Sequence, residues 1–160
     1  MTILTMIKLP DPNDARANRD ALRILAGAGV RRPFVIAAIT GGRDYQLDAG
    51  ELRWLVRRCQ ELGVTILRHG DALGVDRRGG SEVGRLLPGV LVQTWPAQWR
   101  TQDGYNPRAG LERNAQMLLG QGLAPVDVLL AFPGGKGTAH CVRTAQNSGI
   151  TVEFAPTSEA

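Results

Sequence analysis

"LLAFPGGKGTAHCV", residues 129–142, carries the reading of the fold. An apolar run breaks at Pro133 into three glycines, a lysine and a threonine, and a helix-compatible stretch follows. A buried strand, a glycine loop and a helix start, in that order, form the usual turn for holding a phosphate in an α/β protein. Without Cβ atoms, Gly134, Gly135 and Gly137 let backbone N–H groups face an anion and let it come close. The helix expected from about Gly137 adds the positive end of its dipole. Thr138 has a hydroxyl to donate and is a residue type that caps helices; Pro133 and Lys136 complete the loop. The spacing matches neither the Walker GxxxxGK[ST] pattern nor the GxGxxG dinucleotide fingerprint. A glycine-rich turn with no ligand is the plain alternative.

Outward from this stretch the chain alternates. "FVIAAIT" (34–40), bounded by Pro33 and Gly41-Gly42, has the continuous apolar character of a strand buried on both faces. "DAGELRWLVRRCQELG" (48–63) predicts a helix capped by Asp48 with Glu51 at the capping-box spacing, a stripe of Leu52, Leu55, Val56, Cys59 and Leu62, and Gly63 at its end. Further strands are expected at 64–70, 90–95, 127–132 and 151–155, and helices at 75–87, 111–120 and 137–148. Residues 96–110 form a polar loop too long for a simple connector. The alternation predicts an α/β fold: a Rossmann-like parallel sheet with helices on both faces, in a single domain over 33–160. Residues 1–32, with a short helix over 11–29, are expected as an N-terminal helical extension.

Composition bounds the function classes. With 160 residues, 43% hydrophobic and 21% charged, the chain can bury an ordinary core. No apolar run approaches the ~20 residues of a membrane helix, and the N-terminus does not read as a signal peptide, so a cytoplasmic protein is expected. Cys59 and Cys141 read as buried thiols rather than a disulfide framework. The formal charge is +4, and 17 of the 19 basic residues are arginine, a side chain suited to bidentate phosphate contact. Arginine pairs are scattered without a dense tract, so an extended nucleic-acid surface is not indicated.

In a parallel α/β sheet, ligands sit beyond the carboxyl ends of the strands, so the residues following each strand are the candidates. These are Gly41, Gly42, Arg43 and Asp44 after the first, and His69, Gly70, Gly74 and Asp76 after the second. Trp95 and Trp99 follow the third, and Pro133, Gly134, Gly135, Lys136, Gly137 and Thr138 the fourth. Arg113 and Asn114, read as the start of the next helix, join them, with Arg113 as a second phosphate ligand. Asp71 and Asp76 are either ribose or general-base carboxylates or caps of the following helix. Trp95, Trp99 and Tyr105 are either a stacking platform for a base or a hydrophobic clasp holding the loop down. Two histidines and two separated cysteines make no metal-ligand cluster, so no metal and no resident cofactor are expected.

"GGRDY", "HGDALGVDR", "WPAQW", "RN" and "AFPGGKGT", in this order over residues 34–155, resemble the YspA-like branch of the SLOG superfamily. That superfamily includes the LOG phosphoribohydrolases and the DNA-processing protein DprA, and this branch is frequent in phages and their hosts. The resemblance implies a Rossmann-like sheet and a nucleotide-like ligand between the GGRD and PGGKGT loops. LOG enzymes carry PGGxGTxxE, whose glutamate assists N-glycosidic cleavage; here that position is Cys141, and a neutral thiol does not stabilise a developing positive charge. The expectation is therefore a sensor or sequestering protein for a nucleotide or nucleotide-derived signal, such as an ADP-ribose-like or cyclic nucleotide, serving in counter-defence if phage-encoded. The alternatives are an N-glycosidase or phosphoribohydrolase acting on nucleoside monophosphates, and a DprA-like single-stranded DNA binder. Pairing into a homo-oligomer is expected, as related folds commonly pair to complete a site.

Overall fold

The computed structural model describes residues 34–156; the expected extension over 1–32 lies outside the described residues. β1 (Ile36–Thr40) is buried along its whole length, as its unbroken apolar run requires. It is followed by α1 (Ala49–Leu62), β2 (Ile66–His69), α2 (Val75–Leu86) and β3 (Leu91–Thr94). Then come a small ribbon of β4 (Arg100–Thr101) and β5 (Gly104–Tyr105), α3 (Ala109–Leu119), β6 (Val128–Ala131), α4 (Lys136–Asn147) and β7 (Thr151–Phe154). The sheet order is β3-β2-β1-β6-β7 and every pairing in it is parallel.

Side chains alternate across the sheet and define two cores. Ala37 and Ile39 of β1 and Val128 and Leu130 of β6 face Leu55 and Cys59 of α1 and Val75 and Val83 of α2. Ile36, Ala38 and Leu129 face Met117 and Leu118 of α3 and Cys141 and Ala145 of α4. Burial of each large aliphatic side chain contributes ~1.5–3 kcal/mol, which makes the β1–β6 pair the stable centre of the molecule. Both cysteines are free and buried.

α1 matches its reading residue by residue. Asp48 accepts from the Glu51 N–H at 2.7 Å, the Glu51 carboxylate accepts from the Asp48 N–H at 3.1 Å, and Gly63 closes the helix in the left-handed region. Three local expectations are corrected. α3 begins at Ala109 rather than 111, because Asn106 makes a turn in which its side-chain oxygen accepts from the Arg108 N–H at 3.0 Å. Arg113 and Asn114 thus lie in the second turn of the helix, not at its start. α4 begins at Lys136 with Gly135 as its N-cap residue, so Thr138, three positions further on, does not cap it. The loop over 96–110 also contains the β4–β5 ribbon.

Candidate functional site

β1 and β6 lie side by side, but the chain leaves them in opposite directions, toward β2 after β1 and toward β7 after β6. Such a switch point opens a crevice at the carboxyl ends of the two strands, because their loops diverge. The loops over 41–45 and 133–138 flank it, tied together by the Gly42 N–H donating to the Pro133 carbonyl at 2.8 Å. Close approach of the two loops needs glycine at 134 and leaves little room for a side chain at 42. A Cβ on Gly42 would stand 3.3 Å from Gly134 Cα, and a Cβ on Gly134 would lie 2.6 Å from the Gly42 nitrogen and collide with the Thr138 hydroxyl.

Gly135 and Gly137 differ. A Cβ on either would meet nothing within 4 Å, and neither has a left-handed backbone. Neither the backbone conformation nor internal packing requires glycine there. Both stand at the first turn of α4, where the leading N–H groups have no intrahelical acceptor.

The crevice is a cavity of about 590 Å³, within the range of small-molecule sites. Its lining includes Gly41, Gly42, Arg43, Asp44, Gly70, Asp76, Trp99, Arg113, Asn114 and the whole run from Pro133 to Thr138. Arg43, Asp44 and Lys136 are exposed along its edge. With Arg113 and Asp76, the lining carries three cationic and two acidic side chains, a balance that favours an anion.

Arg113 is positioned by the ends of two strands. Its Nη1 donates to the carbonyl of Gly70 and, at 3.2 Å, to that of Trp95, while Nε donates to the Asn114 side-chain oxygen at 3.1 Å. A side chain on Gly70 would occupy the guanidinium's place. Asn114 is buried and donates from Nδ2 to the Gly137 carbonyl at 3.2 Å, so it fixes the start of α4 against α3. Asp76 is 6% exposed; its Oδ2 accepts from the N–H groups of Gly70 at 3.0 Å and Ala72 at 3.3 Å. Burial pushes its carboxyl up to about 6, against the lowering influence of those N–H groups and of Arg113. Trp99 stacks on Tyr105 across the ribbon, with ring centroids 6.2 Å apart and planes 13° from parallel.

His69, Gly74 and Trp95 do not line the cavity; they support residues that do. The buried His69 accepts the Asp71 N–H on Nδ1 at 3.0 Å, and desolvation lowers its pKa, so it is a neutral structural group. Gly74 has φ +82°, and a Cβ there would stand 2.5 Å from the carbonyls of Gly42 and Arg43, so glycine lets α2 dock on the first loop. The Trp95 ring covers the guanidinium of the buried Arg68 at 5.2 Å. Asp71 pairs with Arg77 at 3.1 Å at the surface. Cys141 is buried, and burial pushes its thiol up to about 11, so it is neutral.

Tyr45, Gly110, Leu111 and Met117 line the cavity and were not among the sequence candidates. Gly110, Arg113, Asn114 and Met117 stand at the i, i+3, i+4 and i+7 spacing of one helix face, a signal legible once the helix starts at Ala109. Tyr45 is placed by its hydroxyl donating to Glu51 at 2.9 Å, so the capping box of α1 also anchors a cavity wall. Among the described residues no group of three His, Cys, Asp or Glu side chains could hold a metal ion, and no helix is long and apolar enough to cross a membrane.

The topology and the switch-point crevice define a Rossmann-like α/β domain. The same fold occurs in the molybdenum cofactor binding protein of the phototrophic bacterium Rippkaea orientalis, with a TM-score of 0.55 and 18% identity over 78% of this chain and 77% of that one. The Moco carrier protein of Chlamydomonas reinhardtii aligns with a TM-score of 0.47 and 18% identity over 76% of each chain. In sequence, 65 residues (39% of this chain) are 40% identical to the Gene 61 protein of Mycobacterium phage D29, a match spanning 46% of that protein's length. No protein-family profile matches the chain.

Proposed function

We propose that this chain binds a nucleotide or nucleotide-derived phosphate compound in the cavity between the β1 and β6 loops, as a sensor or a sequestering protein. The observation that carries this reading is the pair Gly135 and Gly137, where the protein itself needs no glycine and the open space lies beside the first turn of α4. A phosphate seated there would meet unpaired N–H groups, the helix dipole and the Thr138 hydroxyl. Gly42 with Arg43, and Arg113 from the opposite wall, would take a second anionic group. Trp99, not Trp95, would cover a flat heterocycle, since Trp99 alone of the two lines the cavity.

Capture of a nucleotide-derived signal, by a homo-oligomer in the cytoplasm, would suit phage counter-defence, and the 40%-identical segment belongs to a phage protein. Native mass spectrometry of the purified protein, followed by denaturation to release its small molecules, tests the reading. A phosphorylated, ring-bearing compound is the expected mass. A protein that carries none, and whose melting temperature does not move with phosphate, nucleotides, NAD or ADP-ribose, would sink it.

A second reading, hydrolysis of an N-glycosidic bond, draws on the buried Asp76 carboxyl raised to about 6 beside Arg113. Its test is release of free base from nucleoside monophosphate. No release above the uncatalysed rate would exclude it.

A further inference from the structure

Within the proposed phosphate reading, on which this rests, Asp76 has a feature that its structural role leaves over. Both of its backbone contacts, from Gly70 and Ala72, fall on Oδ2. Oδ1 has no hydrogen-bond partner among the described residues. No side-chain oxygen there is both fully buried and unpartnered, so Oδ1 must reach the open volume, and Asp76 lines the cavity. A side chain 94% withdrawn from solvent thus keeps one acceptor oxygen facing the ligand space. A buried acceptor left without a donor is costly, so this oxygen discriminates between ligands that bring a donor and ligands that do not.

We infer that Asp76 is the specificity-determining residue of this cavity and accepts a hydrogen bond from a sugar hydroxyl of the bound phosphate compound, selecting ribosyl over deoxygenated ligands. Two features favour a hydroxyl over a base amino group. A hydroxyl both donates and accepts, so it pairs with the carboxylate and with the carboxylic acid, and burial pushes this group up to about 6, so that both forms are populated in weakly acidic solution. The aromatic partner for a base, Trp99, is 39% exposed, whereas Asp76 is set back among buried groups, its field reaching the buried Cys141. The ring and the donor-bearing part of the ligand therefore meet different walls.

The test is calorimetric titration of the full-length chain with AMP, 2′,3′-dideoxy-AMP, purine riboside monophosphate and inorganic phosphate. Wild type is expected to bind AMP about tenfold or more tightly than dideoxy-AMP, and purine riboside monophosphate about as well as AMP. In Asp76→Ala both oxygens are lost, so a sugar hydroxyl meets neither an acceptor nor a donor at this position, and inorganic phosphate binding reports whether the loops have kept their form. The AMP to dideoxy-AMP ratio should fall at least threefold there while phosphate binding is kept. Equal wild-type affinity for AMP and dideoxy-AMP overturns the inference and leaves the phosphate reading standing. So does a wild-type ratio retained in Asp76→Ala, or a defect confined to the ligand lacking the amino group. If wild type binds none of the four, the phosphate reading fails and this inference falls with it.

Discussion

Asp76 shows how one buried carboxyl shapes both stability and binding. Its pKa is about 6 in the folded chain against an ordinary 3.8, so between those values the folded state holds more protons than the unfolded. Stability attributable to this group therefore falls as pH rises from about 4 to about 6. The interval of about two pH units at ~1.4 kcal/mol each bounds the loss at about 3 kcal/mol. Asp76→Asn is expected to melt at or above wild type at pH 7, with the difference closing at pH 4; melts across this range check it. The phosphate-loop glycines divide in the same physical terms. Gly134→Ala forces a Cβ into Gly42 and Thr138 and should cost about 1–3 kcal/mol. Gly137→Ala adds a good helix former with no clash and should raise stability by up to about 1 kcal/mol while abolishing the melting shift induced by phosphate. Thermal melts of both variants with and without phosphate read the contrast.

At the scale of elements, the ribbon of β4 and β5 and the helix α3 shape the cavity. Trp99 is braced by stacking on Tyr105, and Gly110 leaves room for the rim of its indole, from which a Cβ would stand 3.3 Å. Trp99→Ala should weaken a ring-bearing nucleotide by about tenfold, since base–aromatic stacking is worth ~1–3 kcal/mol, and should leave inorganic phosphate unaffected. Equal loss for both ligands would mean that the ribbon only holds the loop down. α1 was legible down to its caps because its signals are local: a capping box, a 3.6-residue stripe and a closing glycine. The start of α3 was not, because it depends on the Asn106 side chain bonding its own backbone two residues on. That two-residue error in the boundary left Gly110 outside the helix, and so hid that it shares a cavity-facing row with Arg113, Asn114 and Met117.

Over the whole molecule, protection should follow the sheet. In hydrogen exchange, amides of β1 and β6 are expected to be slowest, because these strands are buried on both faces at the centre of the order β3-β2-β1-β6-β7. β4 and β5, exposed along their length, should exchange fastest. A bound anion should add protection at the loops over 41–45 and 133–138 and little at the edge strands β3 and β7. Protection spread evenly over the sheet would contradict a site confined to the switch point.

The sequence by itself determined the order of strands and helices, the parallel sheet and the positions of its glycine loops. These follow from apolar runs, periodicity and turn chemistry carried by neighbouring residues. Tertiary structure alone decided which strand-end residues share the cavity. Trp95 and Trp99 stand four residues apart and read alike, but one covers Arg68 and the other lines the cavity. Gly134 and Gly135 are adjacent and chemically identical, but only the first is packed against the opposite loop. Asp76 reads as a helix-start carboxylate, and only the fold places one of its oxygens on two N–H groups and leaves the other open. Such distinctions arise from contacts between segments distant in sequence, here chiefly the β1 and β6 loops some ninety residues apart, which no local pattern records.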